Sequence, residues 1–266
     1  MRRFEIFPNA YYNYLKDRKH HYLQEKLRVQ KRIVAIYHKE DGVPGYRMMR
    51  DYLVQCDINY SCLTIHNYMK ELGIRSIVRR KRPNYVKGTA NKVFPNLLNR
   101  NFKVEAPNKI WCTDFTYLHQ KDGTMRYNCT IIDLYDRSVV ATLNGNHITA
   151  ELASNTLTIA LTRYKPAKGL IIHSDQGSQF TSKEFNDYCE KHFVQQSMSH
   201  AGCPYDNAPM ERFYNTLKNE YFNLHTFNSS DELDRGIYEF VYVKYNHVRP
   251  HSYNRGLTPY AARCAA

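Results

Sequence analysis

The stretch Ile110-Trp111-Cys112-Thr113-Asp114-Phe115-Thr116-Tyr117 reads as a β-strand with a carboxylate inside it. A second such run, Gly169-Leu170-Ile171-Ile172-His173-Ser174-Asp175, ends in an acid just before a turn at Gly177. Strands rarely bury a carboxylate, because the charge is costly there unless it is paired or binds a metal. A third acid, Glu211, is separated from Asp175 by 35 residues and lies near the start of a helical stretch from Asn207 to Phe222. Two strand acids and one helix acid would form an oxygen-rich site suited to Mg²⁺ or Mn²⁺. Phosphodiester chemistry with two such ions requires a site of that kind.

Further strands are expected at 125–133 and 138–144, and turn signals at Asp122-Gly123 and Asp136-Arg137 make the three an antiparallel meander. A helix follows from a Thr149 cap to Tyr164. The strand at 169–174 must then be reached by a crossover and lie parallel to the first. A helix at 182–192, a strand at 193–198 and a mobile loop from Ser199 to Pro209 complete the order. The expected fold is α/β, a mixed five-stranded sheet with flanking helices. It puts Asp114 mid-sheet, Asp175 at the end of the neighbouring strand and Glu211 on a helix packed across them. Asn207, Glu211, Asn215 and Lys218 share one helical face, which could position DNA or form an ordinary solvent-facing stripe. Asp133 and Asp136, beside a turn, are expected to bond backbone amides. Glu151 fits the helix dipole better than a metal.

The net charge of +13 is unevenly placed. Residues 1–105 hold 22 Lys and Arg against 9 Asp and Glu, whereas residues 106–266 hold 16 of each. Such segregation is expected if the first part grips a polyanion and the rest does chemistry. From Tyr22 to about Lys39 a helical stripe runs through Leu23, Leu27, Ile33, Ile36 and Tyr37, broken by Gly42-Val43-Pro44-Gly45. A second helix spans Tyr46 to about Val54, and Ser61 caps a third that runs through Leu72 to a Gly73 stop. Three short helices with tight turns make a helix-turn-helix unit whose last helix reads DNA. Arg75, Arg79, Arg80, Lys81 and Arg82 follow it and are expected to reach phosphates rather than form a solvated charge run. The stretch from Pro83 to Pro107, with Gly88 and Pro95, reads as a linker laid over a surface rather than packed.

Seven cysteines without a Cys-x-x-Cys pair read as reduced residues, and zinc is not expected. The start, Met1-Arg2-Arg3-Phe4, leads into no apolar stretch, and no run is long enough to span a membrane, so a cytoplasmic location is expected. In the tail, Leu233, Ile237, Phe240 and Val241 suggest a helix on the core. The motif Tyr245-Asn246 with Arg249-Pro250-His251 is either a structural corner or a phosphate contact through Arg249.

Four blocks resemble a known family: Asp114-Phe-Thr-Tyr117, His173-Ser-Asp-Gln-Gly-Ser-Gln-Phe180, Gly202-Cys-Pro-Tyr-Asp-Asn-Ala-Pro-Met-Glu-Arg-Phe213 and Tyr245-Asn-His-Val-Arg-Pro-His251. They resemble the OrfB transposases of bacterial insertion sequences, in the family named after insertion sequence 3, from about Tyr22 to Pro259. The resemblance implies an RNase H-like core like that of retroviral integrases, preceded by an all-α helix-turn-helix domain. It implies Asp114, Asp175 and Glu211 as the catalytic, metal-binding triad for two Mg²⁺ or Mn²⁺ ions, with Lys218 as a DNA-end contact. The domains expected are a junction at 1–21, the helix-turn-helix at 22–82, a linker at 83–106, the catalytic core at 107–225 and a helical tail at 226–266. The implied activity is 3′-end cleavage and strand transfer at the ends of an insertion sequence. Implied partners are duplex DNA (transposon ends and target), further copies of the chain on DNA, and the upstream-frame protein OrfA or a frameshift fusion with it. The rivals are a nuclease of RNase H type, which cuts without joining, and a catalytically silent, domesticated DNA-binding protein.

Overall fold

A computed structural model of the chain describes residues 11, 12, 14, 17–77, 92–120 and 123–265. The chain divides into two units, residues 1–78 and 79–266.

In the first unit α1 (Arg18–Lys39), α2 (Tyr46–Val54) and α3 (Cys62–Glu71) enclose a small core. Val29, Ile33, Ile36, Met49, Leu53, Ile65 and Met69 form its centre. The α1 stripe therefore differs from the expected one. Leu23 and Leu27 are exposed, and Val29 takes the buried place. The α1–α2 corner needs glycine at Gly42, whose φ of 75° lies in the left-handed region and where a Cβ would stand 3.1 Å from the Tyr37 hydroxyl. Ser61 caps α3 by accepting from the Thr64 amide at 3.1 Å. The chain after α3 returns to that corner: the Tyr37 hydroxyl donates to the Arg75 carbonyl and the Ile77 amide to the Gly42 carbonyl.

The second unit is built on a five-stranded sheet of order β3-β2-β1-β4-β5. Its strands are β1 (Ile110–His119), β2 (Met125–Asp133), β3 (Val139–Gly145), β4 (Ile171–Ser174) and β5 (Gln195–Met198). The first three form the expected antiparallel meander, and β1 pairs with β4 in parallel. Period-two alternation sends β1 residues to two different layers. Trp111 and Phe115 pack beneath α4 (Ala150–Tyr164) and α5 (Lys183–Lys191). Cys112 and Leu118 pack beneath α6 (Ala208–Glu220) and the tail. The tail comprises α7 (Ser230–Glu239), a π-helical continuation through Phe240–Val248, and α8 (Pro259–Cys264). Asp114 has the parity of Cys112 and Leu118 and so belongs to the α6 face.

Two expectations are corrected here. The stretch before β1 is anchored to the sheet at several points rather than only laid over the surface; Pro83 to residue 91 lies outside the described residues. Leu98 is buried, the Leu97 amide donates to the Ser197 hydroxyl, and the Met198 amide donates to the Pro95 carbonyl. Its prolines do not prevent packing because the neighbouring amides and side chains find partners on β5. The loop from Ser199 is held rather than loose: Gln176 donates to the Ser199 carbonyl and Pro204–Asn207 form a 3-10 turn. Among the described residues no helix is long and apolar enough to cross a membrane.

Candidate active site

Asp114 and Asp175 are related by the sheet itself. β1 and β4 pair in register as Ile110 with Ile171, Trp111 with Ile172 and Cys112 with His173. The pairing ends at Cys112 with His173, two residues before Asp114 and Asp175, which are separated by the same offset in sequence. Asp114 is half-buried, and its Oδ1 accepts from the Phe115 amide at 2.7 Å. Asp175, also half-buried and one residue beyond β4, accepts from the Gly177 amide at 2.8 Å. Glycine is needed at 177 because a Cβ would come within 2.8 Å of the Asp175 carboxylate and would collide with the Gln179 amide.

Glu211 lies in the first turn of α6, exposed. Hydrogen bonds from three side chains fix where that helix begins and how it sits. The Tyr214 hydroxyl donates to the Asp114 carbonyl at 2.6 Å and reaches the Asn128 carbonyl at 3.2 Å. Asn207 donates its side-chain amide to the Thr113 carbonyl at 3.2 Å. His173 Nε2 lies 2.9 Å from the Asp206 carbonyl. A carbonyl only accepts, so Nε2 carries the imidazole proton and Nδ1 accepts from the Ser197 hydroxyl at 2.9 Å. Burial lowers the His173 pKa to about 4, which keeps the ring neutral. The backbone around each strand acid is thus tied to the start of the helix that carries the third.

Asp206 is the second anchor of this region. Its buried carboxylate accepts from Arg100 Nε at 2.7 Å, from the His200 amide at 3.0 Å and from Asn96 at 3.0 Å, with His200 Nδ1 at 2.8 Å. The Arg100 guanidinium holds the carboxyl well below the usual carboxylate range. Sequence reading missed Asp206, His173 and Tyr214 as organisers. A polar His in the apolar run Leu170-Ile171-Ile172 was the available signal for one of them.

The remaining expectations fall as follows. Asn207 precedes α6 rather than sharing its face. It is buried at 4% exposure, and its Oδ1 has no protein partner. Asn215 is exposed on α6 and accepts from Asn219; Lys218 is half-buried on the same helix. Arg75 is exposed on the segment after α3, and Arg79, Arg80, Lys81 and Arg82 lie outside the described residues. Asp133 accepts from the Asn108 and Tyr135 amides and Asp136 from the Ser138 amide, as expected for turn acids, and both also pair with Arg263. Glu151 sits in the first turn of α4 beyond the Thr149 cap. Among the described residues no three His, Cys, Asp or Glu side chains are gathered closely enough to hold a metal ion. Asp114 sits mid-β1, Asp175 just past the end of β4 and Glu211 on α6, and the three are not clustered.

The tail motif is a structural corner. Arg249, 7% exposed, donates Nε and Nη2 to the two oxygens of Glu220, both at 2.6 Å. Asn246 pairs with both backbone groups of Val139, accepting at 2.9 Å and donating at 3.0 Å. The phosphate contact considered for Arg249 is set aside, because its fork is engaged inside the protein.

Residues 104–204 match an integrase core domain family, residues 192–259 match a second integrase core domain family, and residues 24–82 match a family of HTH-like domains. The chain is 34% identical over 269 residues to an uncharacterized 31 kDa protein of insertion element IS600 from Shigella sonnei, covering 98% of this chain and 96% of that protein. It is 34% identical to the transposase of insertion sequence element IS904 from Lactococcus lactis, covering 84% of this chain and 88% of the relative. Transposase InsF of insertion sequence IS3A from Escherichia coli is 30% identical, with coverage of 85% and 79%. Among solved structures, a simian T-cell lymphotropic virus intasome in complex with a PP2A regulatory subunit is similar in fold. It has a TM-score of 0.50 at 16% identity, covering 87% of this chain and 74% of that one.

Proposed function

Because the chain belongs to the transposases of bacterial insertion sequences, with an integrase core and an HTH-like domain, we propose that it cleaves DNA at the 3′ ends of its element and joins them to a target, using Asp114, Asp175 and Glu211. The observation that supports the assignment of residues is the Tyr214 bond that seats the Glu211 helix on Asp114, together with the parallel pairing of β1 and β4, the strands that lead into the two strand acids. The donor set is all carboxylate oxygen, which suits a hard cation such as Mg²⁺ or Mn²⁺. Asp114, Asp175 and Glu211 would hold it, and Glu211, on an exposed and rotatable side chain, would turn inward to complete the set. Two bound ions supply activation of the attacking oxygen and charge stabilisation at the leaving one.

The chain's own residues do the rest by position. Asp114 and Asp175 present carboxylates from adjacent strands, and their Oδ1 bonds to the Phe115 and Gly177 amides limit rotation. Asn215 and Lys218 lie farther along α6 and would meet the DNA end. Arg75 and the basic run 79–82 would contact phosphates beside the reading helix. We further propose that the protein works as several copies on DNA and together with an upstream-frame OrfA protein or as a fusion with it. A single small reading module discriminates weakly, and a second joined module could raise avidity by roughly 10²–10⁴.

The test is a strand-transfer assay with labelled duplexes bearing the element's ends, run with Mg²⁺ or Mn²⁺. Joined products support the proposal. Cleavage without joining would favour a nuclease of RNase H type, and binding without either reaction a silent DNA-binding protein. In a plasmid assay the OrfA fusion should yield more excised circles than residues 1–266 alone.

A further inference from the structure

Helix α1 divides its surface three ways. Val29, Ile33 and Ile36 face the core. Lys26 and Gln30 turn to α3, where both bond to Glu71, at 2.7 Å and 2.8 Å. On the third flank Arg28, Lys31, Arg32 and Ala35 line an open groove of about 480 Å³, closed on its other side by Cys56 and Ile58 from the turn between α2 and α3.

Three neighbouring cations on one helical flank repel one another. Their structural compensation is small. Arg28 is forked onto Glu25 at 2.6 Å and 3.0 Å, and Arg32 Nη2 lies 3.0 Å from Cys56 Sγ, which holds its guanidinium over the turn. Asp57 of that turn is exposed and does not line the groove. Among the described residues, Glu25 is thus the one acid bonded to these three cations.

We infer that this groove seats the phosphate backbone of duplex DNA, an inference that rests on the DNA-acting reading above. Arg28 and Arg32 are about 6 Å apart along the helix axis, whereas one strand of the duplex offers a phosphate every ~3.4 Å of its axis. The cations therefore span successive phosphates of one strand, and an open groove admits a continuous strand where a closed pocket would admit one small anion. Ala35, Cys56 and Ile58 give it an apolar floor against which sugars can lie. The turn that bounds it leads directly into Ser61 and α3, which presents Leu63, His66, Asn67 and Lys70 to solvent. The groove would set the unit's register on the duplex and contribute no base preference.

The test compares the full chain with its Arg28→Gln/Lys31→Gln/Arg32→Gln variant, binding a labelled random-sequence duplex across a NaCl titration. The slope of log K against log salt should be less steep by about 2 to 3 in the variant, at about 0.9 for each phosphate no longer neutralised. A second arm needs no substitution: peptide-resolved maleimide labelling of Cys56 in the unmodified chain should slow several-fold when the duplex is added. If the chain binds DNA but the variant keeps its slope and Cys56 labels equally with and without DNA, the groove assignment is wrong. If the chain binds no DNA at any salt concentration, the DNA-acting reading itself fails and this inference goes with it.

Discussion

The Tyr214 hydroxyl donates to the main-chain carbonyl of Asp114 across 2.6 Å, joining the residue three places beyond Glu211 to the first acid of the candidate site. Residues three apart on a helix are surface neighbours, so this bond fixes the height at which Glu211 stands over β1. Burial raises the Tyr214 phenol well above its ordinary value, so it remains a donor at any working pH.

Tyr214→Phe keeps the packing and removes that bond. Stability should fall by about 1 kcal/mol, the usual net value of one hydrogen bond. Strand transfer should fall further than the loss of folded protein explains. Both are measured on the same preparation, by denaturant unfolding and by product yield at a temperature where the variant is fully folded. Unchanged strand transfer would show that the bond does not position Glu211.

The Arg249–Glu220 pair predicts a stability effect without a DNA effect. Arg249→Ala leaves the Glu220 carboxylate buried without its partner, at a cost of about 3–5 kcal/mol. The double change Arg249→Met/Glu220→Leu should recover most of that loss. Trp111, the sole tryptophan and fully buried beside β4, reports unfolding of this unit by fluorescence. A DNA affinity that drops in the double variant while the fold is intact would restore the phosphate role for Arg249.

The tail also predicts a pH dependence. His251 is half-buried beside Arg249, Arg137 and Arg212, and desolvation first, then those charges, lower its pKa from 6.5 to about 3. Between those values the unfolded chain binds a proton that the folded chain refuses. Stability from this group is therefore complete above about pH 6.5 and declines as pH falls toward 3. His251→Gln should lose less stability than the unmodified chain between pH 7 and pH 5, followed at Trp111. Some decline should remain in both proteins, because His173 is shifted in the same direction. An identical pH slope in the two proteins would contradict the assignment.

The sheet was legible because its strands alternate and its helices announce their caps: Thr149 and Ser61 each accept the amide three residues on, as expected from the sequence. The parallel pairing of β1 with β4 was legible because sequence order and the crossover rule together imply it. What was not legible depends on distant partners. Asp206 looks like an ordinary loop acid until Arg100 and Asn96, over a hundred residues earlier, close on it. Asn207 could be placed on the polar face of the next helix only by assuming that the helix had already begun there. Helical periodicity also misassigned Leu23 and Leu27, which share a face of α1 turned to solvent while Val29, Ile33 and Ile36 take the core face.

The central claim is that Asp114, Asp175 and Glu211 act as one metal-binding set. The most direct measurement is cleavage and strand transfer by Asp114→Asn, Asp175→Asn and Glu211→Gln, each alongside its DNA affinity. Each change keeps the side chain's shape and removes the charge that a divalent cation requires. The account predicts that all three variants bind DNA nearly as well as the unmodified chain and neither cut nor join it. More than about a tenth of normal activity in any one of them, a loss of under 1.4 kcal/mol in transition-state stabilisation, would contradict it.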